Sequence, residues 1–193
     1  MRICVVGCGA VGSLFAANLA HLEDVEVWAY DLAQEHVDAI NRDGLRLSGA
    51  GEVVGRMQAT SDAGDLPACD FGIVATKAMH TEAAIGATAR SFSDGCVATV
   101  QNGLGNEEAI ARHAERVIRG TTFPAGKLLA PGHVQWDVRG DTTLGPFEPS
   151  PAPPDEIERL ADACTRASAT TPTSTAPPIR ARRRASPKWR SGP

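Results

Sequence analysis

Residues 3–20, Ile-Cys-Val-Val-Gly-Cys-Gly-Ala-Val-Gly-Ser-Leu-Phe-Ala-Ala-Asn-Leu-Ala, constrain this chain more than any other stretch. The apolar run Ile3 to Val6 reads as a strand, three glycines spaced G-x-G-x-x-G form a turn, and an amphipathic helix follows. Gly7 suits the sharp turn out of the strand, Gly9 lets backbone approach a ligand, and Gly12 lets the helix lie close on the strand. A helix that starts in such a turn aims its unpaired N–H groups and the positive end of its dipole at the turn, which favours a phosphate. With Cys8, Ala10 and Val11 in the variable positions, residues 7–12 together form a candidate pyrophosphate cradle.

Glycine triplets at this spacing also arise by chance, so the flanking pattern carries the weight. A second strand, Val25 to Tyr30, ends at Asp31, which lies 19 residues beyond Gly12. An acidic residue about 20 positions on is placed to take the hydroxyls of a ribose, although an acid at a strand end also serves as a helix cap or a solvated turn residue. The uncharged run after Arg2 suits a secretory signal or a membrane span as well; its glycines, Ser13, Asn18 and the βαβ pattern that continues from it weigh against both.

Further along, Leu32 to Arg42 predicts a helix with Leu32, Val37 and Ile40 on one face, and Leu45–Ser48 with Glu52–Met57 predicts a hairpin around Gly49-Ala-Gly51. Ser61 to Ala68 is a connector with one helical turn at Ala63–Leu66. Asp70 to Thr76 is a buried strand followed by a helix from Ala78 to Arg90; Cys96 to Val100 is another, followed by a turn at Gln101–Gly105 and a helix from Asn106, with Asn106 as its cap. Arg116 to Thr122 adds a strand. Thr121 to Phe123, Gly132 to Val138 and Asp141 to Gly145 read as short antiparallel strands closing one sheet edge. Strands alternating with helices predict an α/β fold, a Rossmann-like doubly wound parallel sheet with a few antiparallel edge strands.

In such sheets a ligand lies beyond the carboxyl ends of the strands, and Gly7–Gly12, Asp31, Thr76-Lys77, Gln101-Asn102 and Ala125-Gly126 all fall on that edge. Lys77 there suits a phosphate, a carboxylate or a substrate carbonyl, and otherwise reads as a solvated surface lysine; Asn102, before Gly103, otherwise reads as a turn residue. No residue is assigned as catalytic beyond Lys77 as a weak candidate, and no metal site is expected. Glu148 to Pro154 reads as a proline-rich linker and Asp155 to about Ala167 as a helix, so the domain limits are 1–150 for the dinucleotide-binding unit, 151–167 for a linker and the start of an interdomain helix, and 168–193 for a disordered basic tail.

Charge separates these parts. The chain of 193 residues has a formal charge of −4, yet residues 168–193 hold six basic side chains and no acid, so the remainder stands at −10. An acidic folded part disfavours nucleic acid as a partner. Five scattered cysteines without a C-x-x-C pair support neither a disulfide framework nor zinc, and point to a reducing cytoplasm.

With these pieces assembled, the chain resembles the ketopantoate reductase (2-dehydropantoate 2-reductase) family over about residues 1–165. The resemblance rests on Met1–Ala16, on Val74-Ala-Thr-Lys-Ala, on Gln101-Asn-Gly-Leu-Gly-Asn-Glu-Glu, and on Gly120-Thr-Thr-Phe-Pro-Ala-Gly with Leu144-Gly-Pro146. It implies NAD(P)H-dependent reduction of a 2-oxo acid, ketopantoate to pantoate, on the route to pantothenate and coenzyme A. It also implies that residues 7–12 hold the pyrophosphate, that Lys77 and Asn102 line the nicotinamide and substrate end, and that Gly126 is a small residue contacting the cofactor.

Two departures from the family pattern stand out. Members that use NADPH place a basic residue where this chain has Asp31, so NADH is expected over NADPH. The family's C-terminal helical domain, with its acid lysine, is not recognisable here; it would begin near Pro178-Ile-Arg-Ala, and the composition change near Ser168 reads as a truncation or a shifted reading frame. Lys188 is therefore not assigned the acid's role. Three readings follow: the cofactor-binding half of a ketopantoate reductase, a reductase of some 2-oxo acid with its acid supplied by another chain or by Lys77, or a nucleotide-binding module without catalysis. An open domain face also predicts homodimerisation or aggregation, and no membrane partner is expected.

Overall fold

A computed structural model describes residues 1–170. Its strands are β1 (Arg2–Val6), β2 (Glu26–Tyr30), β3 (Leu45–Gly49), β4 (Val53–Gly55), β5 (Gln58–Thr60), β6 (Phe71–Val74), β7 (Cys96–Thr99), β8 (Val117–Thr122), β9 (Ala125–Ala130), β10 (His133–Val138) and β11 (Thr142–Pro146). Its α-helices are α1 (Ala10–Leu19), α2 (Gln34–Asp43), α3 (Thr81–Thr88), α4 (Asn106–Ala111) and α5 (Pro154–Thr170).

The main sheet runs β11-β8-β7-β6-β1-β2-β5 and is parallel except for β11, which pairs antiparallel with β8. The expected doubly wound α/β architecture is therefore present. The central strands β1, β6 and β7 are buried on both faces apart from Arg2 at the start of β1, which is why they read as near-continuous apolar runs rather than as alternating ones. One face packs against α1, α2 and α5 through Ile3, Val5, Leu14, Val37, Ile40 and Leu160; the other packs against α3 and α4 through Val6, Val74, Ile85, Val97 and Ile110.

Several expectations are corrected. Of the three segments expected to close the sheet edge, Asp141–Gly145 does so as β11 and Thr121-Thr122 ends β8 beside it, but Gly132–Val138 becomes β10 of a second sheet, ordered β4-β3-β10-β9, in which β3 pairs in parallel with β10 and β9 is a strand that the pattern does not mark. The hairpin of β3 and β4 belongs to this second sheet, whereas Gln58–Thr60, at the end of the same sequence region, leaves it to become β5 beside β2. Leu32 does not join the buried face of α2, which starts two residues later; Leu32 is 77% exposed, and Val37 and Ile40 are buried without it.

The second sheet also explains why α1 is not amphipathic. Residues Gly12 to Leu19 are all buried, because α1 contacts β1 and β2 on its inner side and β3, β4, β9, β10 and α5 on its outer side. The approach is close: a Cβ at Gly55 in β4 would lie 2.6 Å from the Cα of Ala17. Burying Leu14, Phe15 and Leu19 in this way contributes about 1.5–3 kcal/mol each. The one amide in that environment, Asn18, donates from Nδ2 to the Leu14 carbonyl at 2.6 Å.

The helix expected from Asp155 to about Ala167 is present, and it is part of the core. It forms α5 from Pro154, its Leu160, Ala163, Cys164 and Ala167 enter the core shared with α1, and it continues to Thr170, past the boundary expected at Ser168. Arg166 of α5 pairs with Asp24 at 2.9 Å. The expectation of disorder after residue 170 lies outside the described residues. Among those described, no helix is long and apolar enough to cross a membrane, and residues 3–20 are divided between β1 and α1.

Two stability predictions follow from contacts between elements. His36 of α2 is buried and accepts the Gly132 N–H on Nδ1 at 2.9 Å, tying α2 to the β9–β10 turn. His36→Phe leaves that N–H without its acceptor and is expected to cost roughly 1–3 kcal/mol in urea unfolding. On the opposite face, hydrogen bonds from Arg112 and then His113 hold the Glu82 carboxyl down at about 2, against an ordinary 4.5. This exposed cluster joins α3 to the end of α4. Its contribution is complete above about pH 4.5 and is lost as pH falls towards 2. The Glu82 carboxyl resonance is expected to titrate in that low range, and Arg112→Ala to move the midpoint up.

Candidate functional site

The three glycines of the turn are required for three different reasons. Gly7 leaves β1 at φ 90°, donates its N–H to the Tyr30 carbonyl at 2.8 Å, and has no room for a Cβ, which would fall 2.6 Å from Thr76 Cγ2. Gly12, in the first turn of α1, lies against the turn itself: a Cβ there would fall 1.9 Å from the Gly7 carbonyl oxygen. Gly9 is different. It is exposed, and a Cβ would meet no protein atom within 4 Å. Nothing in the described chain demands glycine at position 9, so the open space beside it is what a ligand's close approach would use.

The helix start is equipped for an anion. Gly9 is the cap residue of α1, no side chain caps the helix, and the first turn holds no acid. The first N–H groups of a helix have no partner within it, so here they and the positive end of the dipole are available to a phosphate. Ser13 braces the turn by donating its hydroxyl to the Cys8 carbonyl at 2.7 Å.

Asp31 follows β2 and lines the same cleft. Its Oδ2 accepts the Cys8 N–H at 2.8 Å and its Oδ1 accepts the Ala33 N–H at 2.9 Å, so the carboxylate ties the glycine turn to the approach to α2. The turn role and the ribose role are thus compatible, since each carboxylate oxygen retains a second lone pair. Cys8 takes part through its backbone. Its side chain is fully buried, and burial, with the Asp31 charge adding to it, pushes the thiol pKa well up, so it offers no reactive thiolate.

Ala10 and Val11 line the cleft on the α1 side; Thr76 and Lys77 after β6, Gln101 and Asn102 after β7, and Thr122 in β8 line it at the far side. The cleft measures about 570 Å³. Lys77 is exposed and precedes the one-turn helix Ala78–His80. Asn102 is exposed, and its carbonyl accepts from Asn106 Nδ2 at 3.3 Å. Asn106 is not the cap of α4; Gly105, at φ 88°, occupies that position, and Asn106 lies inside the helix, 2% exposed, accepting from the Thr81 hydroxyl.

Gly7, Gly9, Ala10, Val11, Asp31, Lys77 and Asn102 are therefore brought to one cleft, whereas Gly12 and Cys8 support it from behind. Gly126 is not brought there. It lies within β9, where a Cβ would fall 2.6 Å from the Gln135 carbonyl, so the crowding of β10 accounts for this glycine. Sequence reasoning assigned no individual role to Gln101 or Thr76 and missed Thr122; all three follow the strand-end rule that found Lys77. His80, Ala83 and Ala84, which line the cleft from beside and within α3, carry no motif that marks them.

Comparison with known proteins agrees with this geometry. Residues 3–149 match the family model described as ketopantoate reductase PanE/ApbA. The 2-dehydropantoate 2-reductases of Pyrococcus abyssi and Pyrococcus horikoshii are 34% and 36% identical over 146 and 147 residues, in each case 75% of this chain and 47% of the relative. The chain thus spans about half the length of the curated relatives it matches. Among solved structures, D-mandelate dehydrogenase with NADH and anilino(oxo)acetate superposes with a TM-score of 0.75 at 28% identity, covering 86% of this chain and 54% of that one. A PanE/ApbA family ketopantoate reductase from Ralstonia eutropha gives 0.73 at 26% identity, with the same coverage.

The different roles of the glycines are separable by experiment. Gly9→Ala is expected to unfold like the parent yet to lose most NADH binding, read by fluorescence titration. Gly12→Ala, which drives a methyl into the Gly7 carbonyl, is expected to lose at least about 1–3 kcal/mol in thermal or urea unfolding.

Proposed function

Because the chain belongs to the ketopantoate reductase family, we propose that it binds a nicotinamide dinucleotide across the cleft and supplies the cofactor-binding half of an NAD(P)H-dependent reduction of a 2-oxo acid, ketopantoate to pantoate. The single observation that carries this reading is the uncapped start of α1 beside the open face of Gly9, with the Asp31 carboxylate anchored one strand away. The residues present fit the group. The α1 N-terminus would hold the pyrophosphate, and Asp31 would accept ribose hydroxyls. Lys77 and Asn102 would meet the nicotinamide and substrate end. From β2 to β7 the sheet is three strand spacings wide, roughly 14 Å, a distance that an extended dinucleotide bridges.

A reduced nicotinamide, when bound, supplies the hydride for the carbonyl carbon. The chain's own contribution is to bind and orient. The helix dipole and N–H groups fix the phosphates, Asp31 fixes the adenosine end, and the Lys77 ammonium is the cation at the far end suited to a substrate carboxylate or carbonyl oxygen. Lys77 is the weak candidate for the proton donor as well. Gly126, the small residue that the family resemblance sets against the cofactor, lies within β9. Exposed Met79, Leu104 and Phe123, each beside cleft-lining residues, support pairing between copies through this face.

Asp31 favours NADH. A 2′-phosphate brought to the same carboxylate would place like charges together at a site already committed to two N–H donors. The D-mandelate dehydrogenase structures, solved with NADH, favour a second reading, that the 2-oxo acid is other than ketopantoate.

The test is fluorescence titration with both cofactors. NADH is expected to bind at least about tenfold more tightly than NADPH, and Asp31→Asn, which keeps one acceptor but removes the charge, to narrow that ratio. Equal affinities, or a preference for NADPH, would overturn the assignment of Asp31. Turnover of any 2-oxo acid by the 193-residue chain alone would show that it is more than the cofactor-binding half, and its preference for ketopantoate or for another 2-oxo acid would then distinguish the two substrate readings.

A further inference from the structure

Behind Lys77 and Asn102 lies a polar network that the glycine turn does not share. Gln101, half-buried after β7, directs its side-chain amide across to the β6 loop: Nε2 lies 2.8 Å from the Thr76 carbonyl, 3.0 Å from Thr76 Oγ1 and 2.7 Å from Thr81 Oγ1. Its Oε1 accepts from the Thr99 hydroxyl at 3.1 Å. The network continues. Thr81 donates its hydroxyl to Asn106 Oδ1 at 3.1 Å, and Asn106 Nδ2 donates to the Asn102 carbonyl at 3.3 Å. Thr81 is 1% exposed and Asn106 2%, so both side chains have exchanged water for these partners.

The protons run in one direction, from the Gln101 amide to the Thr81 oxygen, from the Thr81 hydroxyl to Asn106, and from Asn106 back to the backbone one residue after Gln101. Two loops and the starts of two helices are thereby joined: Thr76 and Thr81 on the β6–α3 side, Asn102 and Asn106 on the β7–α4 side. Lys77 follows Thr76 directly. A buried network whose donors and acceptors match holds its members in one arrangement, and removing a member leaves the others unpaired.

From this we propose that Gln101, acting through Thr81 and Asn106, is a positioning residue that presets the Lys77 and Asn102 loops for the nicotinamide end of the dinucleotide, while leaving the adenosine end to Asp31 and the glycine turn. The proposal rests on the dinucleotide reading above, and goes beyond it by dividing the cleft into two halves set by separate hydrogen-bond systems. The adenosine half is held by the Cys8 and Ala33 N–H groups on Asp31. The network around Gln101 contributes no hydrogen bond to it.

The division is read by comparing two probes, NADH, which occupies both halves, and AMP, which occupies only the adenosine half. In the full 193-residue chain, Gln101→Leu and Thr81→Val are each expected to weaken NADH at least about tenfold while AMP affinity stays within about twofold. Thr81→Ser keeps the hydroxyl and is expected to hold NADH within about twofold of the parent. Parallel loss of NADH and AMP would show general damage and overturn the proposal, as would Thr81→Ser binding NADH as weakly as Thr81→Val, or unchanged NADH binding in both Gln101→Leu and Thr81→Val. The parent chain separates the two levels: if it fails to bind NADH, the dinucleotide reading falls and this proposal with it, whereas a parent that binds NADH beside Gln101→Leu and Thr81→Val variants that bind it equally well removes the proposal alone.

Discussion

The contact between Gly12 and the Gly7 carbonyl sets the depth at which α1 rests on the parallel sheet, and much else in the structure depends on that depth. Because no side chain intervenes, the helix starts directly beyond β1, with its first N–H groups facing the cleft. Asp31 then reaches the Cys8 N–H from the neighbouring strand and makes the turn part of a rigid edge. A methyl group at position 12 would lift the helix, and with it both the anion site and the surface on which the second sheet is laid.

That second sheet is the structural surprise. It is assembled from segments far apart in sequence, Leu45–Gly55 and Ala125–Val138, and it covers the outer side of α1 together with α5. The central helix is therefore enclosed all round, and its outer covering is what allows an apolar sequence without a polar stripe to be a stable helix here. The Gly55 approach to Ala17 and the His36 bond to Gly132 are the places where this covering is tied down.

The cleft has a matching division of labour. Its turn end is built from backbone, glycines and one carboxylate, groups whose chemistry suits an anion and a diol. Its far end is built from side chains at the strand ends, Lys77, Gln101, Asn102 and Thr122. Family membership and a length of about half that of the curated relatives are both consistent with a chain whose described part is concerned with the cofactor.

By itself the sequence determined the strand–turn–helix start, the alternation of buried strands with helices, and the identity of Gly7, Gly9, Asp31, Lys77 and Asn102 as cleft residues, because each is written in local spacing or at the end of a strand. Tertiary structure alone decided that β9 and β10 form a second sheet, that residues 58–60 join the main one, that α5 belongs to the core, that β10 crowds Gly126, and that Gln101 bridges two loops. The physical reason is the same in every case. A short strand's partner, a helix's outer covering and a glutamine's acceptors are supplied by other elements, from nine to more than a hundred positions away, and nothing in the local pattern records which of them will arrive.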